Sequence, residues 1–449
     1  MLVALLAPAS VFAVGGRVRD EYRARLDGRA LTPKDFDYVV TGMRAPELVE
    51  RLSAGGQVDV VGASFAVVKF RHPAGEADIA LPRRERSTGS GHRDFTVESG
   101  PDVPIADDLG RRDFRMNMIA RRLADDEIVD PYGGVADIAA RRIDTVTDRA
   151  FVEDPLRLLR AAQFAARFAF TISDRARAGM SAAAPLVTTV SAERIGDEMK
   201  KLLTLAAQPS LGLEVLRETG VLAYLWPELL EGVGVDQNEW HAYDVYRHGL
   251  VTLDATPQGD LVLRLAGLLH DVGKPRTKDG PHFYRHEQVG ADLVPAMLAR
   301  LRLPQAVVDA VEHLVRQHMY AADPELAPRA IRRFIQRMRP EHLDRLFGLR
   351  SADIAGSGLP KRSDANERFQ ARVRAVLAEA PAASVRDLAI DGRDVIELLQ
   401  RNGSAGPGFA GDPRVGRILR ALFERVTDEP QLNEPGMLRA MAEQLAAEA

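Results

Sequence analysis

The sequence predicts an α+β fold, with a mixed-sheet head at the N-terminus and an all-helical remainder. Three observations carry this. Ser10–Val14 is a short apolar run with β-branched and aromatic residues, stopped by Gly15-Gly16, and a second strand-like run, Tyr38–Val40, follows one helix later. From about Arg142 the apolar spacing becomes helical almost to the end. The chain also has 10 histidines, most of them gathered in one region of that helical half. Expected boundaries are a head at 1–142, a helical neck at 143–225, a histidine-rich helical domain at 226–358 and a helical tail at 359–449.

Bulk properties set limits. A length of 449 residues suggests two to four domains. Hydrophobic residues at 46% and charged residues at 28% leave material for a sizeable core. A net charge of −4 does not advertise a nucleic-acid binder, so any RNA site must be a local basic patch. Zero cysteines exclude disulfides and thiolate metal sites and fit a reducing compartment. Met1–Ala13 imitates a signal peptide but lacks a basic start and runs straight into the glycine turn, so it reads as the first strand. No run is long enough to span a membrane.

In the head, Gly15 and Gly16 let backbone amides approach a phosphate, since no Cβ intervenes. Arg19 follows and could clamp a triphosphate bidentately. Asp35 and Asp37 flank Phe36 at the start of the second strand. Residues i and i+2 of a strand face the same way, roughly 6–7 Å apart. Like charges so placed repel unless a cation lies between them. A divalent pair, about 3.5–4 Å apart, would align an attacking hydroxyl with a nucleotide α-phosphate. A glycine pair or a D-x-D alone is commonplace; VGGRVRD (14–20) followed by KDFDYVV (34–40) is much more specific.

At these residues the chain resembles the bacterial class II tRNA nucleotidyltransferase and poly(A) polymerase family, the CCA-adding enzymes. The resemblance implies a polymerase-β-like nucleotidyltransferase head, with Asp35 and Asp37 holding Mg²⁺ and Gly16 among the nucleotide contacts. Further strands are expected at 58–62, 65–70 and 76–81, where Asp78 is either a third carboxylate or a solvent-facing edge charge. The segment 83–104, with TGSGHRDF (88–95), reads as a mobile loop; in the family a loop here helps switch between CTP and ATP. GRRDF (110–114) with Asn117 is similar to the family's R-R-D-F-T-x-N-A, with Arg115 and Met118 as departures. It implies that Arg112 grips the nucleotide and that Asp113 orients it. DPYGGVADI (130–138) reads as a turn with paired glycines, similar to the loop that closes the family's catalytic head.

In the neck, Glu153-Asp154-Pro155 opens a helix, with Asp154 as the expected N-cap and Pro155 at the first helical position. Asp154, Arg157 and Arg160 share one face; Leu156, Leu159 and Phe164 are expected to pack on the other. A carboxylate accepts from an exocyclic amine, and a guanidinium donates to ring acceptors. C and A both present such an amine beside an acceptor, whereas G and U do not. The family uses E-D-x-x-R as this protein template, so Asp154 and Arg157 are implied as base readers and Arg160 as a nucleotide contact. The charges of Glu193–Glu198 read as structural braces.

In the helical domain, His248, His270, Asp271 and Asp353 offer nitrogen and oxygen ligands for a divalent metal, with His286, His313 and His318 between them in sequence. The long apolar helix 261–269 ends at the His-Asp step. This pattern resembles the HD phosphohydrolase domain. It implies either a phosphoesterase with a transition metal such as Ni²⁺ or Mn²⁺ and Lys274 near the phosphate, or a degenerate scaffold that holds tRNA. Arg329, Arg332, Arg333 and Arg337 form a basic stripe, suited to RNA backbone or simply solvated. Asn402–Pro407 reads as a loop.

The implied activity is addition of C, C and A to tRNA from CTP and ATP, in the cytoplasm, by a monomer or homodimer. A-adding, CC-adding and poly(A)-adding relatives are alternatives. So are a phosphohydrolase with an inactive transferase head and a non-catalytic RNA-binding protein.

Overall fold

Val11, Phe12, Ala13 and Val14 are all buried, so the first strand is covered on both faces and sits inside a sheet rather than at its edge. The computed structural model describes residues 1–30, 36–61, 67–73, 75–87, 95–360, 363–379, 382, 384–406 and 408–447. The chain forms two units: residues 1–230 with 297–303, and residues 231–296 with 304–449.

In the first unit, a short helix α1 (Leu2–Leu6) precedes β1 (Ser10–Val14). The apolar N-terminus is therefore helix then strand, not one strand. Pro8 explains the break: it carries no N–H for a ladder. Then come α2 (Gly16–Leu26), β2 (Asp37–Thr41), α3 (Ala45–Ser53), β3 (Gln57–Val61), β4 (Val67–His72), β5 (Gly75–Ala80), β6 (Arg83–Ser87) and β7 (Phe95–Ser99). They are followed by α4 (Ile105–Gly110), β8 (Ala120–Arg122), β9 (Ile128–Val129) and α5 (Gly134–Ala139). The main sheet runs β3-β4-β5-β2-β1-β8-β9. It is mixed: β2 and β5 pair parallel, and the other neighbours pair antiparallel. Phe12, Val14, Val39, Leu109, Met118 and Ala120 form a core cluster against it. Met118, one of the two motif departures, thus fills core.

The segment 83–104 is not simply a loop. β6 and β7 form an antiparallel hairpin, and α4 follows. Residues 88–94 lie outside the described residues.

The neck opens with a small parallel pair, β10 (Arg142–Ile143) and β11 (Thr171–Ile172). Its helices are α6 (Ala150–Glu153), α7 (Leu156–Phe168), α8 (Asp174–Ala183), α9 (Ala192–Leu205), α10 (Ser210–Glu218), α11 (Leu222–Leu225) and α12 (Pro227–Leu230). α7 begins one residue later than expected, with Pro155 at the cap position. The Asp154 carboxylate still accepts from the Leu156 N–H at 3.2 Å, so its capping chemistry survives.

The second unit contains α13 (Val245–Ala255), α14 (Leu261–Leu269), a short pair β12 (Lys278–Asp279) and β13 (His282–Phe283), α15 (His286–Ala299) and α16 (Gln305–Gln317). It continues with α17 (Pro328–Met338), α18 (Leu343–Gly356) and α19 (Ala365–Ala378). α14 is buried all round from Val262 to Leu269, as its apolar run requires, with Arg264 buried inside it. The tail helices α20 (Gly392–Arg401), α21 (Pro413–Asp428) and α22 (Pro435–Ala447) have a core of their own around Leu398, Leu422 and Leu438.

The arginine stripe on α17 is mostly engaged by that tail. Arg333 chelates the Asp428 carboxylate at 2.9 and 2.7 Å, and Arg329 pairs with it too. Arg332 donates to the Thr427 and Asp428 carbonyls at 2.6 and 2.7 Å. Three guanidiniums therefore meet the carbonyl end of α21, where positive charge is favoured by the helix dipole. Arg329 and Arg333 nevertheless keep more than half of their side-chain surface exposed.

Candidate functional site

In the first unit, β1 runs into Gly15 at φ +72°, a conformation that favours glycine, and α2 starts at the next residue. A Cβ on Gly15 would stand 3.1 Å from the Arg112 guanidinium, and one on Gly16 would stand 3.2 Å from that of Arg19. The two glycines thus let two cations lie against the backbone at the N-terminus of an 11-residue helix, an anion-binding arrangement.

This turn borders a cleft of about 500 Å³. Gly16, Arg19, Asp37, Arg112, Asp113 and Asn117 line it from the head; Asp154, Arg157, Arg160, Gln163, Phe164 and Glu198 line it from the neck. Asp37 and Asp78 are register partners on the parallel strands β2 and β5, so their side chains share one face of the sheet. Asp35 lies outside the described residues. An oxygen-only donor set of this kind fits a hard cation such as Mg²⁺.

The arginines are held by carboxylates, though not all as expected. Arg19 is buried and presents its bidentate edge to Asp20, at 2.9 Å twice, and reaches Asn117 at 2.8 Å. It braces the turn, rather than offering that edge to a triphosphate. Arg112 is oriented by Asp108 at 3.1 Å, not by Asp113. Asp108 is fully buried and also binds Arg111 at 3.0 and 2.8 Å. Asp113 instead chelates Arg160 at 2.8 and 2.5 Å and accepts from Asn117 at 2.7 Å. Burial would raise the Asp113 pKa, but the Arg160 charge and these hydrogen bonds outweigh it and hold the carboxyl below its ordinary value. Arg115 binds Asp137 at 3.0 Å and Asp144 at 3.3 Å, so the other motif departure is a buried tie within the head.

On α7, Asp154, Arg157 and Arg160 do share the cleft-facing side. Arg157 is fixed by the carbonyls of Ala150 and Arg111, at 3.3 and 3.0 Å. Leu156 and Leu159 are buried as expected. Phe164 differs: it lines the cleft, with the Arg19 and Arg160 guanidiniums 5.3 and 5.2 Å from its ring centre. Glu198 is also a cleft residue. It is 4% exposed, accepts from Lys201 at 2.8 Å and stands 3.6 Å from Arg160. Asp108 was missed as a site residue although its partners Arg111 and Arg112 stand three and four positions further along the chain, and Glu198, expected as a structural brace, stands beside Arg160 of the neighbouring helix.

In the second unit, His248 on α13, His270 and Asp271 at the end of α14, and Asp353 on α18 converge. His248 Nε2 is 3.1 Å from Asp353 and 3.4 Å from Asp271; His270 Nε2 is 3.2 Å from Asp271 and 3.6 Å from Asp353. His286 and His318 join the same cluster, while His313 bonds the Met338 carbonyl at 2.9 Å beside His342 and stays out of it. Gly273 permits this closeness: a Cβ there would stand 2.2 Å from the His286 carbonyl oxygen.

Two charged effects shape the cluster. Burial lowers the basicity of His270, but Asp271 and Asp353 overwhelm it and raise its pKa to about 10. Despite burial, His270 and Lys274 hold Asp271 well below the carboxylate range, and His248 and His270 do the same for Asp353. The carboxylates thus call for a cation, which a metal ion or a proton can supply. The adjoining cleft of about 540 Å³ is lined by Lys274 and Arg350 and by the exposed rings of Trp240 and Tyr284. Lys274 Nζ sits 2.6 Å from both Asp271 and Gln237.

Comparison with known proteins follows the same division. The poly A polymerase head domain matches residues 11–144, a domain described as a probable RNA and SrmB-binding site of polymerase A matches 169–232, and the HD domain matches 242–350. The chain is 37% identical over 413 residues to the multifunctional CCA protein of Nitrosococcus oceani, covering 87% of this chain and 96% of that one. It is 39% identical to the multifunctional CCA protein of Ralstonia nicotianae, over 70% of this chain and 74% of that one. In fold it is similar to the Bacillus stearothermophilus CCA-adding enzyme in complex with CTP, with a TM-score of 0.65 at 22% identity, covering 98% and 94% of the two chains. The Thermotoga maritima CCA-adding enzyme complexed with tRNA follows at a TM-score of 0.53 and 18% identity, covering 97% and 92%.

Proposed function

The chain belongs to the multifunctional CCA protein family, tRNA nucleotidyltransferases with an HD domain, and we propose from this that it adds C, C and A to the 3′ end of tRNA using CTP and ATP. One observation carries the reading: a single cleft brings the Asp37 strand, the glycine turn and the Asp154–Arg157–Arg160 face together. Asp35 and Asp37 would hold Mg²⁺, with Asp78 beside Asp37 on the same face. Bound there, the metal supplies charge neutralisation at the α-phosphate and lowers the pKa of the attacking 3′-hydroxyl. Gly16 and Arg112 receive the phosphates, Arg19 and Asp108 keep that cradle in shape, and pyrophosphate leaves.

Asp154 accepts from the exocyclic amine that C and A share, and Arg157 donates to the neighbouring ring acceptor. Two carbonyls fix the Arg157 side chain, so its remaining donors are preorganised. Arg160, locked by Asp113, contacts the nucleotide from the same face. In this reading the head is 1–142, the neck 143–225, the HD domain 226–358 and the tail 359–449. The partners are tRNA, CTP and ATP in the cytoplasm, and the chain works as a monomer or homodimer. No described helix is long and apolar enough to cross a membrane. The test is incorporation of labelled CTP and ATP into tRNAs ending at the discriminator base, at C and at CC. Failure to reach CCA from any one of the three would replace this reading with a partial-addition relative.

The second unit supports a phosphohydrolase acting on nucleotides or tRNA ends. Its histidines and carboxylates would hold a transition metal such as Ni²⁺ or Mn²⁺, while Lys274 and Arg350 attract the phosphate. Ring opening of a 2′,3′-cyclic nucleotide to its monophosphate by the parent, and none by H270A, tests it.

A further inference from the structure

We propose that the cleft beside the histidine cluster carries a pocket for a nucleobase, in which Trp240 and Tyr284 stack on the ring and the Asn366 amide donates a hydrogen bond to its edge. The proposal deepens the phosphohydrolase reading of the second unit and rests on it: the substrate becomes a nucleotide rather than any phosphoester.

The first observation is a donor without an acceptor. Asn366, in the first turn of α19, lines the cleft and is only 7% exposed. Its Oδ1 accepts from the Tyr320 hydroxyl at 3.4 Å, which sets the orientation of the amide. Its Nδ2 is buried, and among the described residues nothing accepts from it. A buried donor left unpaired is costly, so such groups are rare in folded proteins. One that borders a cleft is accounted for if a ligand brings the acceptor. The amide is also held in place. Phe369, one turn further along α19, is fully buried, with its ring 5.0 Å from that of Phe334 and 6.0 Å from that of Tyr320.

The second observation is the two-sided character of the cleft. Lys274 and Arg350 give it cations, whereas Trp240, Tyr284 and Met319, each more than half exposed, give it apolar surface. A single exposed ring needs no explanation; three large apolar side chains around one cleft do. His282 stacks on Tyr284, with ring centres 5.3 Å and planes 28° apart. The turn that carries Tyr284 is tied down, because His286 Nδ1 donates to the Phe283 carbonyl at 2.7 Å. Its ring is therefore presented to the cleft in a fixed pose. Open aromatic faces next to cations suit a flat heterocycle joined to a phosphate. The cleft, at about 540 Å³, has the size of a small-molecule site. A base also brings the ring nitrogen or carbonyl acceptor that Asn366 Nδ2 lacks. An aliphatic ligand would leave that donor unpaired.

The position of these residues adds meaning. Trp240 and Asn366 lie outside the stretch 242–350 that matches the HD domain, one on each flank. The phosphate end of the cleft thus belongs to the domain, and much of the base end comes from the segments around it. That gives α19 a part in choosing the substrate as well as in packing.

The experiment uses the full chain and its own fluorescence. The chain has two tryptophans, of which Trp226 is fully buried and Trp240 lines the cleft. Adenosine 3′-monophosphate should quench the emission saturably, inorganic phosphate should not, and W240F should abolish the quenching. Y284A and N366L should each weaken nucleotide binding by about tenfold, as loss of one stacked ring or one hydrogen bond predicts. Calorimetric binding of inorganic phosphate should stay unchanged in both. Undiminished nucleotide binding in both variants overturns the base pocket, and so does an equal loss for nucleotide and phosphate, which would make the two residues structural. Quenching that persists in W240F removes Trp240 from the stack. Absence of quenching in a chain that still opens a 2′,3′-cyclic nucleotide overturns the pocket and spares the phosphohydrolase reading. Quenching in a chain that opens none supports the pocket and overturns that reading instead.

Discussion

The transferase cleft and the histidine cage satisfy their charges in opposite ways. In the cleft, the principal arginines have carboxylate partners within the fold: Arg19 with Asp20, Arg111 and Arg112 with Asp108, Arg160 with Asp113. The side chains are aimed before any nucleotide arrives, which is what orientation-dominated catalysis needs. In the cage, four imidazole rings and two carboxylates face one another. Their arrangement is at rest only with cations among them. One site is complete as folded protein; the other is completed by what it binds.

The largest effect that tests this contrast comes from Asp37. D37A should lower nucleotide addition by about a thousandfold or more, since the metal cradle goes, while metal bound by the second unit stays unchanged. Single-turnover addition and elemental analysis read the two halves. Next, R157A should admit UTP or GTP at rates within about ten- to a hundredfold of CTP, from the loss of one or two base contacts worth roughly 1–3 kcal/mol. Competition assays against CTP on a tRNA ending at the discriminator base check it; unchanged selectivity would remove Arg157 from base reading.

D108N should come third. It keeps the shape but drops the charge that holds Arg111 and Arg112, and kcat/KM should fall about tenfold for CTP and ATP alike. Chelation should then lower the melting temperature of the second unit by several degrees and that of the first by less, since the ligands of the former are buried while the Mg²⁺ site at Asp37 borders an open cleft. Calorimetry with and without metal reads this directly.

The smallest effect concerns the tail. Two guanidiniums hold the partly buried Asp428 carboxyl down at about 2. A lowered folded pKa contributes stability above the ordinary carboxylate range, and that contribution fades as pH falls toward 2. Amide exchange in α21 should therefore stay slow at pH 3 in the parent and become faster in R329A/R333A.

Much of the fold was legible because it is written locally. The strand, glycine turn and helix at 10–26, the strand after Asp35 and the helix 261–269 each follow from contiguous residues. So does the face shared by Asp154, Arg157 and Arg160, at a spacing of three. What escaped depends on distant partners. Arg160 meets Asp113, 47 positions away, and His286 meets His318 across 32. No periodicity specifies such pairs. The counter-charge of the α17 stripe was hidden for the same reason: Asp428 lies 95 positions from Arg333. The β6–β7 hairpin was hidden by the serines, glycines and proline around it, whose turn signals masked two five-residue strands.

The backbone tethers on the four imidazoles have one further use. His248 is fastened to the end of α18, His270 to α14, His286 to β13 and His318 to α16. Loading the centre with Co²⁺ would turn it into a coloured strain gauge, because its visible spectrum follows ligand geometry and that geometry is tied to four separate elements. Drift of any one of them during turnover or tRNA docking would then be seen as a change of hue, without attaching a dye.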